Sequence, residues 1–239
     1  MEKHNLRPTS RRGFLGSIAA GTTALGISAI AAPLTLHAEP TPQHNADDPD
    51  AWFNQIKGKH RIAFDVTKPH EIFPFAWPKV FLLTNQATGS SPKDCSVVVI
   101  LRHDGIPYAF QDSMWAKYKF GEFFKAGELG RGFVAADAAT AAATRNPIWK
   151  PKLGDFVAPG LGPVAIGIND LQADGVMFCI CDVAMTVYSN VIGGSMKMDP
   201  AEVKKEWIAN LIPGVQVVPS GIWAVGRAQE HNCAIVGVG

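Results

Sequence analysis

Residues 95–101 have the sequence CSVVVIL, an almost unbroken apolar run in which four consecutive side chains are β-branched. A strand of this kind has no polar face to turn towards water. Such strands are typical of parallel sheets that are covered by helices on both faces. The run therefore predicts a parallel strand that is buried on both sides.

On either side of this strand, short apolar runs alternate with helical patterns. The predicted strands are 61–66, 95–101, 175–181, 215–218 and 233–238, and the predicted helices are 77–86, 116–126, 200–211 and 220–231. The helix at Pro200 is the best marked, because Asp199 can cap it and proline suits the first helical position. The alternation predicts an α/β domain over residues 60–239, with a flavodoxin-like, doubly wound and mostly parallel five-stranded sheet.

One segment interrupts this alternation. Residues 127–162 are rich in glycine, proline and alanine, and they form a connection that is long for a compact domain. We interpret them as an inserted loop region over one end of the sheet, acting as a lid, a binding loop or a partner surface. Few large apolar groups are available to the core, although Phe133, Trp149 and Phe156 can dock locally. The alanine-rich part can form a short helix.

The first residues indicate export. Arg11 and Arg12 precede a mildly apolar stretch over residues 15–36 that ends in small residues, the pattern of a twin-arginine signal. We predict a signal peptide over residues 1–38, a polar linker over 39–59 and a periplasmic or otherwise exported protein with no stable membrane span after cleavage. An uncleaved anchor and a basic cytosolic helix are the alternatives.

Composition and motifs exclude several function classes. Lys and Arg number 22 and Asp and Glu number 21, and this balance gives no indication of a nucleic-acid partner. The sequence contains no phosphate-binding glycine loop, no zinc-protease motif and no hydrolase nucleophile motif. The histidines lack metal-ligand spacing, so we expect neither a cofactor nor a metal.

Polar side chains follow three of the predicted strands at their carboxyl ends, where open parallel sheets bind ligands. Arg102 and His103 follow the second strand, Cys181 ends the third, beside the next helix, and Ser220 follows the fourth. Free N–H groups at a helix start stabilise a thiolate, and Arg102 or His103 can add positive charge. We therefore expect Cys181 to be exposed and reactive, and the mid-strand Cys179 to be buried. The alternative is that both are packed core cysteines.

The order of several segments resembles a known family. Residues 175–185, GVMFCICDVAM, resemble the DsrE-like (DsrE/DsrF sulfur-relay) superfamily, in which a cysteine ends this strand. Residues 212–233 are similar to the final strand, helix and strand of that family. Residues 102–104 and 117–121 resemble its exported, twin-arginine branch. The resemblance spans about residues 61–239.

This resemblance implies a flavodoxin-like fold, and assembly into homo-oligomers is known for several members. It also implies a thiol-based sulfur carrier or sulfurtransferase-like protein, in which Cys181 holds a persulfide and exchanges it with a donor or acceptor protein. Two alternatives remain open. One is a non-catalytic ligand-binding or assembly module of the same fold. The other is a copper site formed by Met177, Cys179, Cys181 and Met185, because copper(I) prefers thiolate and thioether ligands.

Overall fold

The computed structural model describes residues 48–239, so the predicted signal peptide (1–38) and the first part of the predicted linker (39–47) lie outside the described residues. The strands are β1 (His60–Val66), β2 (Cys95–Leu101), β3 (Val157–Ala158), β4 (Gly162–Pro163), β5 (Met177–Cys181), β6 (Val215–Val218) and β7 (Ala234–Val238). The helices are α1 (Pro49–Phe53), α2 (Phe73–Ala87), α3 (Asp112–Tyr118), α4 (Phe120–Phe123), α5 (Ala141–Thr144), α6 (Ile168–Ala173), α7 (Asp182–Met196), α8 (Pro200–Ala209) and α9 (Gly221–Glu230).

The central sheet has five strands in the order β6-β5-β2-β1-β7, and every neighbouring pair is parallel. The chain steps outward through β1, β2, β5 and β6, and then returns to place β7 on the free side of β1. This reversal beside the first strand makes the sheet doubly wound, as in flavodoxin-like folds. The predicted fold class is confirmed, and the sheet is entirely parallel.

Side-chain alternation along the strands divides the interior into two cores. Phe64, Val99 and Phe178 point into a larger core that is completed by side chains of α2, α3, α7 and α8. Ala63 and Cys179 point to the other face, into a smaller core that is covered by α1 and α9. The continuous apolar run of β2 is explained by this arrangement, since helices cover both of its faces.

The second half of the predicted linker is folded. Asp48 caps α1 by accepting the N–H of Asp50, and Pro49 occupies the first helical turn. Trp52, Phe53 and Ile56 are then buried in the smaller core. The linker prediction for residues 48–59 is therefore wrong, because three large apolar side chains in this short segment cover one face of the sheet.

The inserted region 127–162 belongs to the larger core, which corrects the expectation that it contributes little. It includes the predicted short helix, α5, and a two-stranded ribbon of β3 and β4. Its buried side chains include Leu129, Phe133, Ile148 and Phe156. The fully buried amide of Asn146 donates to the carbonyls of Tyr108 and Phe110 at 2.9 Å each. A methyl group built on Gly132 would lie 2.7 Å from Cδ1 of Ile72, so glycine lets the backbone approach the core closely there.

Two predicted boundaries shift. The helix predicted over 77–86 begins at Phe73, and the helix predicted over 116–126 is two helices, α3 and α4. Lys119 separates the two with a left-handed backbone conformation, φ 53°. Within residues 48–239, no helix is long and apolar enough to cross a membrane.

Candidate functional site

Two helix starts meet at the carboxyl end of the sheet. After β5 the chain enters α7 on the side of the larger core, whereas after the neighbouring β6 it enters α9 on the side of the smaller core. Adjacent strands whose chains leave to opposite faces define the crevice where doubly wound proteins bind ligands. Cys181 is the residue that caps α7, and Ser220 is the residue that caps α9.

Cys181 lies at the start of the longer of these two helices. Its Sγ accepts a hydrogen bond from the backbone N–H of Ala184 at 3.2 Å, so the sulfur occupies the capping position of a 15-residue helix. Cys181 therefore lies at a helix N-terminus, as the sequence predicted. The partial positive charge there stabilises an anionic sulfur.

The expected exposure of Cys181 is wrong, because only 6% of the residue is accessible. The capping bond turns the side chain back onto the first turn of α7, where it packs with Ala184 in the larger core. A strand end in this fold is therefore covered by the helix that follows it. Cys181 is shielded from solvent.

Arg102 follows β2 and forms a two-pronged ion pair with Asp65, the penultimate residue of β1. Its Nε lies 2.6 Å from one carboxylate oxygen and a terminal nitrogen lies 2.8 Å from the other. The hydrogen bonds to Asp65 raise the pKa of Arg102, and the nearby sulfur of Cys181 adds to this rise. The structure thus brings Arg102 near Cys181, as a fixed and permanently charged group.

The backbone of α9 lies directly against the stem of Arg102. A methyl group built on Gly221 would lie 2.4 Å from Cβ of Arg102, so glycine is required for this close approach. Asp65, Arg102 and the start of α9 therefore form one packed unit. Sequence analysis missed Asp65, although a carboxylate inside the apolar run IAFDV is an unusual feature that could have identified it.

His103 belongs to a second, exposed group. Its Nδ1 lies 3.3 Å from a carboxylate oxygen of Asp104, and its side chain is 66% exposed. The hydroxyl of Tyr188 donates to the same carboxylate oxygen, and the His103 and Tyr188 rings meet edge to face at 6.1 Å. Burial and the bond to Asp104 raise the pKa of Tyr188. Tyr188 lies two helical turns beyond Cys181, and neither it nor Asp104 was singled out from the sequence as a site residue.

The other three cysteines lie in different surroundings. All four cysteines are free thiols. Cys179 is fully buried in the smaller core, and this burial raises its pKa strongly. Burial also raises the pKa of Cys95 and Cys233, which lie at the amino end of the sheet, and Asp94 adds to the rise at Cys95.

The four sulfur residues of the copper alternative do not converge. Met177 packs against the smaller core, whereas Met185 is buried in the larger core on the opposite face. Within the described part of the chain, no group of three histidine, cysteine, aspartate or glutamate side chains is placed to hold a metal ion. The arrangement at Cys181 is therefore that of a thiol at a helix start.

Comparisons with known proteins give few relatives. No family model matches the chain, and no curated protein matches it. A solved structure that it resembles is the protein of unknown function MTH1491 from Methanobacterium thermoautotrophicum. The two are 16% identical, and the similarity covers 75% of this chain and 99% of the other at a TM-score of 0.34.

Proposed function

We propose that this chain is a thiol-based sulfur carrier that holds a persulfide on Cys181 and exchanges it with a donor and an acceptor protein. We further propose that it does so in the periplasm after twin-arginine export. The observation that carries the proposal is the hydrogen bond from the Ala184 N–H to Cys181 Sγ at the start of α7. Both a thiolate and the terminal sulfur of a persulfide are anions, and a helix N-terminus stabilises anions.

The proposed reaction is a thiol exchange that needs no external oxidant. The Cys181 thiolate attacks the outer, sulfane sulfur of a donor persulfide, and a new S–S bond forms to Sγ. The donor's S–S bond breaks, and its electron pair leaves on the donor thiolate. An acceptor thiolate then attacks the outer sulfur in the same way, and the Cys181 thiolate leaves.

The burial of Cys181 suits a carrier better than a general nucleophile. A side chain that is only 6% accessible reacts slowly with dissolved thiols and oxidants. A donor that docks at the carboxyl end of the sheet can present its sulfur directly to the crevice between β5 and β6. Shielding therefore protects the carried sulfur between encounters.

The neighbouring charged groups take two different roles in this proposal. Arg102, held by Asp65, provides a fixed positive charge at the same end of the sheet. His103 is exposed, and its Nδ1 lies 3.3 Å from Asp104, so we assign it to proton exchange with the thiol of the docked partner. Tyr188 positions Asp104 through its hydroxyl hydrogen bond.

The test is sulfur loading of the full chain. The reduced protein is incubated with an excess of glutathione persulfide until its mass stops changing, because burial slows the reaction of Cys181 with a dissolved persulfide. Intact-mass spectrometry and peptide mapping then locate the added sulfur atom. We expect one added sulfur on Cys181, released as thiocyanate by cyanide. Cys181→Ser, which keeps an oxygen at the capping position, should fold and carry no sulfur.

Cys95→Ser is the matched control, because Cys95 is the more accessible cysteine and lies at the opposite end of the sheet. This variant should load as the original protein does. Sulfur found on Cys95 in place of Cys181, or no loading on any cysteine, would contradict the proposal. The second result would favour the non-catalytic module of the same fold.

A further inference from the structure

The start of α7 already holds a negative charge beside Cys181. Asp182 directly follows the cysteine as the first residue of this helix, and it is the only charged residue in the helix. A helix start carries the equivalent of about half a positive elementary charge. The full negative charge of a carboxylate exceeds this, so the helix start alone cannot favour a second anion. A sulfur anion at Cys181 therefore needs another positive charge that balances Asp182.

The balancing charge comes from the neighbouring helix α8. The ammonium of Lys204 lies 2.8 Å from one carboxylate oxygen of Asp182 and 2.9 Å from the other. It also donates to the hydroxyl of Thr186 at 2.9 Å, one turn further along α7. The side chain of Lys204 is only 17% exposed, so water and salt screen this ion pair less than a surface pair. These contacts hold the ammonium over the first turn of α7.

One oxygen of Asp182 depends on this ammonium. Its Oδ1 is closed off from solvent, and no donor among residues 48–239 forms a hydrogen bond of good geometry with it. A buried carboxylate oxygen without a donor is costly unless an opposite charge lies nearby. Lys204 provides that charge at 2.8 Å. Loss of the lysine charge would therefore leave Asp182 uncompensated, directly beside Cys181.

The other titratable groups around the start of α7 do not balance Asp182. They are the ion pair of Arg102 with Asp65, the pair of His103 with Asp104, and the buried thiol of Cys179. In the first pair, Arg102 faces a carboxylate of its own. The second pair and the thiol provide no permanent positive charge, since a histidine is not permanently protonated. The first turn of α9 has no acidic residue that would change this balance.

We propose that Lys204 is a positioning residue for the Cys181 thiolate and acts through Asp182. Its ammonium neutralises the carboxylate and so leaves the partial positive charge of the helix start available to the sulfur. This role rests on the proposed sulfur carrier, in which both the thiolate and the persulfide of Cys181 are anions. Helix α8 is then part of the site together with α7, although it contributes no group that touches the sulfur.

The test is a thiolate titration of the reduced full chain, followed by ultraviolet absorbance at about 240 nm from about pH 5 to about pH 10. The signal of the same variant with Cys181→Ser is subtracted, so only Cys181 contributes and no reagent has to reach the buried sulfur. We expect Lys204→Met to raise the midpoint by about one pH unit, which leaves about tenfold less thiolate below both midpoints. Asp182→Asn should lower the midpoint by a similar amount.

Three further variants separate charge from structure. Lys204→Arg keeps the charge and should keep the original midpoint. The double variant Asp182→Asn, Lys204→Met removes both charges and should return the midpoint close to its original value. Lys117→Met is the matched control, because it breaks the ion pair with Glu206 that also joins α8 to a neighbouring helix. It should leave the midpoint unchanged.

An unchanged midpoint in Lys204→Met would overturn the proposal, and so would an original protein whose Cys181 does not titrate in this range. A double variant that stays shifted with Lys204→Met would also overturn it, because the lysine would then act through packing alone. Sulfur loading of the same variants separates this role from the carrier function. If the midpoint shifts as expected but Cys181 takes up no sulfur, the carrier function is wrong and the electrostatic role of Lys204 is confirmed. Loading with an unshifted midpoint gives the opposite result.

Discussion

The two ends of the central sheet hold cysteines in opposite electrostatic surroundings. At the carboxyl end, Cys181 caps α7, and its sulfur contributes to the raised pKa of Arg102. At the amino end, Cys95 opens β2 beside the carboxylate of Asp94, and burial together with this charge raises its pKa. Cys233 lies at the same end, and its pKa is also raised by burial.

The difference follows from the topology of a parallel sheet. Each connecting helix runs back against the direction of the strands, so helix starts collect at the carboxyl end and helix ends at the amino end. Helix starts present free N–H groups, and helix ends present free carbonyl groups. A cysteine that ends a strand therefore meets the positive end of a helix, whereas one that opens a strand does not.

The largest expected change in the free energy of unfolding comes from breaking the ion pairs at the two ends of the sheet. Arg102→Met leaves the largely buried carboxylate of Asp65 without its partner, and we expect it to lower the free energy of unfolding by about 3 kcal/mol. The matched change at the amino end is Lys79→Met, which breaks the more exposed pair of Lys79 with Asp174 and should cost at most about 1 kcal/mol. Urea denaturation of both variants measures the difference.

The double variant Asp65→Asn, Arg102→Met is the control for this prediction. Because it removes the unpaired charge, it should recover part of the lost stability. If Arg102→Met and Lys79→Met lowered the free energy of unfolding equally, the ion pair at the carboxyl end would stabilise the fold no more than the exposed pair at the amino end.

A smaller effect should come from the contact between α9 and Arg102. Gly221→Ala places a methyl group 2.4 Å from Cβ and 2.6 Å from Cδ of Arg102, so either the helix or the ion pair must move. We expect a loss of about 2 kcal/mol in thermal or urea unfolding. Gly226→Ala, in the same helix with nothing within 4 Å, should instead stabilise by about 0.5 kcal/mol. If Gly221→Ala and Gly226→Ala changed the stability by similar amounts, the close approach of Gly221 to Arg102 would be refuted.

The apolar pattern was sufficient to predict the sheet. A run such as residues 95–101 can be satisfied only by burial on both faces, so the strands and their parallel direction follow from local sequence. The capping position of Cys181 followed from its place before a helix. Local sequence did not indicate what covers the strand end, and for this reason the exposure of Cys181 was predicted wrongly.

The features that sequence analysis missed depend on contacts between distant segments. Asp65 pairs with Arg102 across 37 positions, and Tyr188 binds Asp104 across 84. Asn146 joins the inserted region to the carbonyls of Tyr108 and Phe110 in the same way. A polar composition suggested a linker at residues 48–59, yet Trp52 and its neighbours cover the smaller core.

The smallest expected effect is on the reactivity of Cys95 at the amino end of the sheet. Asp94→Asn removes the negative charge beside Cys95, while an amide oxygen can still accept the N–H of Ser91. Burial, the larger cause of the raised pKa, is unchanged, so the pKa of Cys95 should fall only slightly. A lower pKa leaves more thiolate at a given pH, and the rate of alkylation by iodoacetamide at pH 8 should rise about twofold. Peptide mapping of the same sample follows Cys181 and Cys233 as internal controls, whose rates should not change. An unchanged rate at Cys95 would mean that burial alone sets its reactivity, and the electrostatic contrast between the two ends would then rest on the carboxyl end.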